Sequence, residues 1–206
     1  MKIKGTHELK SPFRIGTEGF TLVELLVVIA IIGTLAALFS GNILSALRKG
    51  DEVSCTNNLR NMGQAAIAYS LEKRFCPVAK GKNPPACESL NVLVNSGAGS
   101  DLSPDVFICP SSLEVPAEKD ADSNFILDED SCSYAWLGKR TKSSTSADTA
   151  LGSDDSVANK EEEIDENHEG FLMVVYAGGD VRKMAAEEIP EGRSLPKRLV
   201  DQTGGE

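Results

Sequence analysis

The chain has 206 residues, 21 Lys and Arg against 31 Asp and Glu, and a formal charge of -10. With 5% aromatic residues, 18 glycines and 9 prolines it is neither collagen-like nor disordered throughout, and its length suits one domain with an appendage. The acidic balance argues against duplex nucleic acid as a partner, and two histidines, His7 and His168, leave little room for His-based catalysis or a His-rich metal centre.

The N-terminal stretch 1–19 carries Lys2, Lys4, Lys10 and Arg14 against Glu8 and Glu18, a short basic leader. From Phe20 to Phe39 the string FTLVELLVVIAIIGTLAALF is apolar except for Glu24 and two threonines. Twenty helical residues span roughly 30 Å, the thickness of a bilayer's hydrocarbon core. A basic leader stays cytoplasmic, so the chain after Phe39 is expected across the membrane. A secretory signal peptide is the competing reading, but the apolar run is longer than a usual h-region and contains a carboxylate. A charge inside such a run is costly, which makes Glu24 a functional residue by default.

The helix is expected to continue. No proline occurs from Asn42 to Arg74, and Cys55, Leu59, Met62, Ala66 and Tyr69 form a stripe at helical spacing. Asn57, Asn58, Arg60, Asn61 and Gln64 take the other face. An unbroken helix from Phe20 to Arg74 would measure about 80 Å. Gly33 and Gly41 interrupt it at positions where Gly costs roughly 1 kcal/mol relative to Ala, and Gly33 equally suits close helix contact.

Beyond the helix the pattern predicts a small α+β domain. Leu90–Val94 and Val106–Ile108 are short strand candidates, and Ser133–Leu137 is an aromatic one. The run Phe171–Tyr176 is the clearest strand, and Ala177-Gly178-Gly179-Asp180 turns it into Val181–Met184 as a hairpin. Residues 138–168 are polar and acidic and read as a mobile surface loop, with a short strand at Thr149–Gly152 inside it. The end of the chain is expected to fray.

Five cysteines follow the apolar run. In an oxidising compartment bridges are expected, each contributing roughly 2–4 kcal/mol. Cys76 and Cys87 bracket a Pro- and Lys-containing loop, Cys109 and Cys132 bracket a second, and Cys55 is left over as a buried thiol, although connectivity is not readable from sequence. Zinc is the competing use of these residues, but no C-x-x-C occurs and His168 is the one histidine after the apolar run, so no metal ligand is assigned. The acidic runs Asp128-Glu129-Asp130, Asp154-Asp155 and Glu161-Glu162-Glu163 lack EF-hand spacing; calcium is the open alternative to a solvated loop. Asp154 or Asp155 facing His168 across adjacent strands would read as a surface salt bridge. Nothing matches a nucleophile elbow, a P-loop or a spaced Cys–His pair, so no catalytic residue and no cofactor is expected.

The string Gly19-Phe20-Thr21-Leu22-Val23-Glu24, opening GFTLVELLVVIAIIGTLAAL, resembles the type IV prepilin signature. That resemblance implies a pilin-like fold: a long N-terminal helix packed on a small antiparallel sheet. It also implies cleavage between Gly19 and Phe20 by a prepilin peptidase, methylation of the Phe20 amine, and a role for Glu24 in subunit register. Similar pilins loosen their helix near the position of Gly41.

Further on, Cys55-Thr56-Asn57-Asn58-Leu59-Arg60-Asn61-Met62-Gly63 resembles the C-x-N-N-L-[KR]-x-[IM]-G pattern of pseudopilin-like proteins of the type II secretion kind. Cys109-Pro110-Ser111 and Ser133-Tyr134-Ala135-Trp136 resemble their CPS and SY-x-W segments. His168 resembles the start of their terminal hairpin, in which nine residues separate His from Asp-Gly; here Gly178-Gly179 occupies that place and Asp180 comes one position late.

The implied organisation is a leader at 1–19, a membrane and filament-core helix at 20–41, its amphipathic continuation at 42–75, a periplasmic head at 76–200 and a flexible tail at 201–206. The implied function is a structural subunit of a pilus-like or pseudopilus filament, anchored once in the inner membrane before assembly. Its partners would be other pilin or pseudopilin subunits, the peptidase, the inner-membrane assembly platform and membrane lipid, with no nucleic acid. The alternative is a minor or tip pilin acting as a binding module for a secreted substrate, a surface or a DNA-uptake partner.

Overall fold

The computed structural model describes residues 19–154, 168, 170–188, 195–196 and 198–201, with the side chains of 39–42, 44 and 186 left aside. The leader before Gly19, the acidic run Glu161-Glu162-Glu163 with Asp155, and the tail after Asp201 lie outside the described residues. A single helix, α1, spans Leu22–Lys73, and the chain divides within it into two compact units, Met1–Leu44 and Ser45–Glu206.

In the first unit every large apolar side chain described from Phe20 to Leu38 is exposed, on all sides of the helix. Leu22 is 78% exposed and Ile32, ten residues on, 60%. A helix apolar all round belongs in lipid or among other helices. Among the described residues no helix is long and apolar enough to cross a membrane.

In the second unit α1 shows the expected stripe. Cys55, Leu59, Met62, Ala65 and Ala66 are buried, Tyr69 is half-buried, and Asn57, Arg60, Asn61 and Gln64 face solvent. The helix stops at Arg74, whose backbone turns left-handed (φ 67°) while its N–H donates to the Ser70 carbonyl at 2.8 Å.

The unit is α+β, as the pattern predicted. Its antiparallel sheet contains β1 Tyr134–Leu137, β2 Ala150–Asp154, β3 Phe171–Tyr176, β4 Val181–Ala185 and β5 Leu199–Val200, in the spatial order β4-β3-β2-β1-β5. The β3–β4 hairpin pairs Phe171 with Ala185 and Val175 with Val181. Two glycines permit the packing. A Cβ on Gly63 of α1 would lie 2.5 Å from Val175 Cγ2, and one on Gly152 of β2 would lie 2.3 Å from Trp136 Cε3, so helix and indole both approach bare backbone. The Trp136 indole N–H donates to the Pro77 carbonyl at 3.1 Å, which satisfies its one polar group in a fully buried position.

Two strand expectations are corrected. Leu90–Val94 belongs to a helix, α2 Ala86–Val94, with Pro85 at the position just before its first turn. Its buried residues Ala86, Cys87, Leu90 and Leu93 follow helical spacing. Asn91 fixes α2 in place, donating to the Leu127 carbonyl at 2.8 Å and accepting the Leu127 N–H at 2.9 Å. Val106 and Phe107 lie in a short 3-10 turn, Pro104–Phe107, because Pro104 fixes the backbone of its first position and Phe107 is drawn into the core.

Candidate functional site

The start of α1 is closed by a reciprocal cap. Thr21 Oγ1 accepts the Glu24 N–H at 3.2 Å, while Glu24 Oε2 accepts the Thr21 N–H at 2.9 Å and the Thr21 hydroxyl at 2.7 Å. This is a capping box, two otherwise orphaned donors satisfied by two side chains. Its T-x-x-E spacing stands in the sequence as a second meaning of Glu24. Gly19 and Phe20 precede the helix and are exposed, and a Cβ on Gly19 or Gly33 would meet open space. Gly41 lies within α1.

The second unit holds a buried polar cluster at the meeting of α1, β1, β2 and the segments before β1 and β3. Cys55, Cys109 and Tyr134 are fully buried, Asp154 is 1% exposed and His168 7%. His168 Nε2 lies 3.7 Å from Cys109 Sγ and 3.3 Å from Asp154 Oδ2. Cys55 Sγ lies 3.6 Å from Asp154 Oδ2, and the Tyr134 hydroxyl 3.6 Å from Cys55 Sγ. Among the described residues, Cys55, Cys109 and His168 are the group whose donor atoms gather closely enough to hold a metal ion, all within 4.8 Å of one another.

Each member is positioned by a neighbouring polar contact. Asn58 Nδ2 donates to the Ile108 carbonyl at 2.9 Å, tying α1 to the segment that delivers Cys109. The Cys109 N–H donates to Ser133 Oγ at 3.0 Å, and Ser112 Oγ donates back to the Cys109 carbonyl at 2.7 Å. The Met173 N–H donates to Asp154 Oδ1 at 2.7 Å, leaving Oδ2 toward the cluster. The His168 ring stacks parallel on Phe171, 5.6 Å between centroids, and Lys183 Nζ sits 4.0 Å over the same Phe171 ring while pairing with Glu52 at 2.6 Å.

Burial raises the Asp154 carboxyl to about 8, against the opposing influence of His168 and the Met173 N–H. The contact with Cys55 holds the Cys109 thiol below its ordinary range despite burial, and His168 acts in the same direction. Cys55, the other side of that contact, is pushed up, as is Tyr134 by burial. Burial works against the imidazolium of His168, but Cys109 and Asp154 outweigh it and its pKa rises.

This arrangement is not that of a nucleophilic triad. A triad places the base between nucleophile and orienting carboxylate through its two ring nitrogens, whereas here a single nitrogen, Nε2, faces both Cys109 and Asp154. The thiols are also sealed from substrate. What the geometry provides is convergence of sulfur, nitrogen and oxygen donors on one small volume.

The Asp154–His168 pairing foreseen across adjacent strands is present, but in the core and not at the surface. The cysteines are arranged differently from expectation. No sulfur–sulfur bond joins Cys76 to Cys87 or Cys109 to Cys132; the Cys109 sulfur faces His168 and Cys55, and the Cys132 thiol donates to the Tyr134 carbonyl at 3.5 Å. Cys55 is buried, but as a member of the cluster. In the hairpin, the Gly178 N–H donates to the Ala147 carbonyl at 2.9 Å, Gly179 takes a left-handed backbone (φ 88°), and Asp180 pairs with Arg182. Asp128 accepts the Ser131 hydroxyl at 2.6 Å in a cap of its own short turn.

Residues 16–40 match the prokaryotic N-terminal methylation motif. The chain therefore carries the type IV prepilin-like signature, the mark of a structural, pilin-like group of proteins. The match covers Gly19, Phe20, Glu24, Gly33 and the first unit's exposed apolar helix. No curated protein and no solved structure matches the chain.

Proposed function

We propose that this protein is a subunit of a type IV pilus-like or type II secretion pseudopilus filament. A prepilin peptidase cuts it between Gly19 and Phe20, the new Phe20 amine is methylated, and the mature chain assembles with other pilin or pseudopilin subunits through the first part of α1. The observation that carries this reading is the exposure of every described apolar side chain from Phe20 to Leu38 in a segment bearing the methylation motif. Such a surface is covered by lipid before assembly and by neighbouring helices afterwards.

Glu24 gives the assembly its register. A carboxylate amid apolar helices needs a cation, and the methylated amine of an arriving subunit supplies one. Its role is structural, and the thiols and imidazole of the described cluster are buried. Intact mass of the mature chain, purified from cells that carry the assembly machinery, tests this reading. Loss of residues 1–19 with gain of one methyl group is expected, and a full-length mass would overturn it.

A further inference from the structure

We propose that Cys55, Cys109 and His168, with the Asp154 carboxylate as the adjacent fourth donor, form a buried site for a borderline-soft divalent cation of the zinc class. The four donors are two sulfurs, one imidazole nitrogen and one carboxylate oxygen, from α1, the segment before β1, the segment before β3, and the end of β2.

Three of the separations match the edges of a coordination shell. Zinc bonds of about 2.3 Å to sulfur and about 2.0 Å to nitrogen and oxygen define a tetrahedron. Its edges are about 3.3 Å between nitrogen and oxygen and about 3.5 Å between sulfur and either of them. The observed edges are 3.3 Å for His168 to Asp154, 3.6 Å for Cys55 to Asp154 and 3.7 Å for Cys109 to His168. Cys55, Cys109 and His168 hold their donor atoms within 4.8 Å of one another, and the Asp154 carboxylate oxygen lies 3.3 Å from His168 Nε2 and 3.6 Å from Cys55 Sγ.

The surroundings complete the case. Structural metal sites hold their ligands through a second layer of hydrogen bonds, and this cluster has one. Met173 holds the far oxygen of Asp154, Ser133 holds the Cys109 backbone, Asn58 holds Ile108 beside it, and Tyr134 lies against the Cys55 sulfur. The whole group is buried, so no position is open to water or substrate, as in a structural site. Two thiolates and a carboxylate deep in a core are costly as bare charges, and a dication offsets them. The bound ion would cross-link four elements far apart in sequence and tie α1 to the sheet of the second unit.

The test uses the full chain in detergent with its thiols reduced. Elemental analysis should give about one zinc per chain, chelation should lower the Tm, and Co2+ substitution should produce sulfur-to-metal charge-transfer absorption with the strong visible bands of a tetrahedral ion. Cys76→Ser should leave these signals intact, whereas Cys109→Ser and Cys55→Ser should each weaken the charge-transfer band and the affinity. Should those variants fail to fold, the Co2+ spectrum of the unmodified chain decides. The proposal is overturned if the reduced wild-type chain takes up no stoichiometric zinc or cobalt. It is equally overturned if the native protein contains a Cys55–Cys109 disulfide, or if folded Cys109→Ser binds Co2+ with an unchanged spectrum.

Discussion

The two stretches of α1, before and after the boundary at Leu44, obey the same helical geometry and opposite rules of partnership. In the first, apolar residues occupy all sides and are exposed, and its one carboxylate is satisfied by Thr21 one turn away. In the second, apolar residues form one stripe, that stripe is buried, and its polar members Cys55 and Asn58 reach residues far off in sequence. Helix propensity does not separate them. What differs is where burial is found: among the described residues it comes from within the chain for the second stretch and is missing for the first, which the proposed assembly would supply from other molecules.

The largest effects should come from the first stretch and should leave the second untouched. Gly19→Val is expected to block cleavage outright, because a branched side chain beside the scissile bond obstructs the peptidase; mature-length protein on an immunoblot would break this expectation. Glu24→Leu should insert and be cleaved normally yet be absent from filaments formed beside wild type, read by mass spectrometry of sheared fibres. In both variants the thermal unfolding of the second unit should be unchanged, which is the sharp form of the comparison.

The reverse holds for the second stretch and its sheet. Trp136→Ala removes a fully buried indole and its bond to Pro77, and should cost about 3–5 kcal/mol in urea unfolding. Gly152→Ala drives a methyl into the same ring and should cost about 1–3 kcal/mol. Ile29→Ala, an equally apolar residue of the first stretch, should leave that unfolding midpoint in place while weakening filaments. Equal loss of stability from Ile29→Ala and Trp136→Ala would dissolve the distinction between the two stretches.

How much of this could be read beforehand follows the range of each interaction. The helix, its stripe, the β3–β4 hairpin and β1 were legible because their signals are local: spacing along α1, the strand run at Phe171–Tyr176, the glycine turn. Leu90–Val94 misled because a short apolar run of five residues leaves out Ala86 and Cys87, which complete the helical face. The buried cluster was visible only in fragments. Cys55, Cys109, Tyr134 and His168 each stand in a segment that resembles a family motif, but nothing in the sequence states that the segments converge. Asp154 sat in an acidic run that reads as solvated surface, and only its position at the end of β2, opposite Tyr134, turns it inward. Bridges drawn between cysteines that bracket loops assumed that closeness in sequence decides pairing, whereas the sheet brings Cys109 toward the helix. The cap at Thr21 is legible in the T-x-x-E spacing, where Glu24 carries a second meaning.

That double meaning yields the smallest and most discriminating prediction. Glu24 is held in the structure by its own chain, through the Thr21 N–H and hydroxyl, whereas the assembly reading assigns its carboxylate to the amine of another subunit. The two roles separate in Thr21→Ala. This change removes both hydroxyl contacts and keeps the carboxylate, its charge and its position one turn into the helix. If Glu24 works mainly between subunits, Thr21→Ala should be cleaved, methylated and incorporated with a yield close to wild type, because the freed carboxylate turns to the incoming amine. A slight fraying of the first turn, read as faster amide exchange at Leu22 and Val23, is then its only trace. If the cap itself is what assembly needs, Thr21→Ala should fail as Glu24→Leu does, and Thr21→Ser, which restores the hydroxyl, should recover. Filament incorporation of the three variants, measured side by side against wild type, decides between a carboxylate that sets register and one that begins a helix.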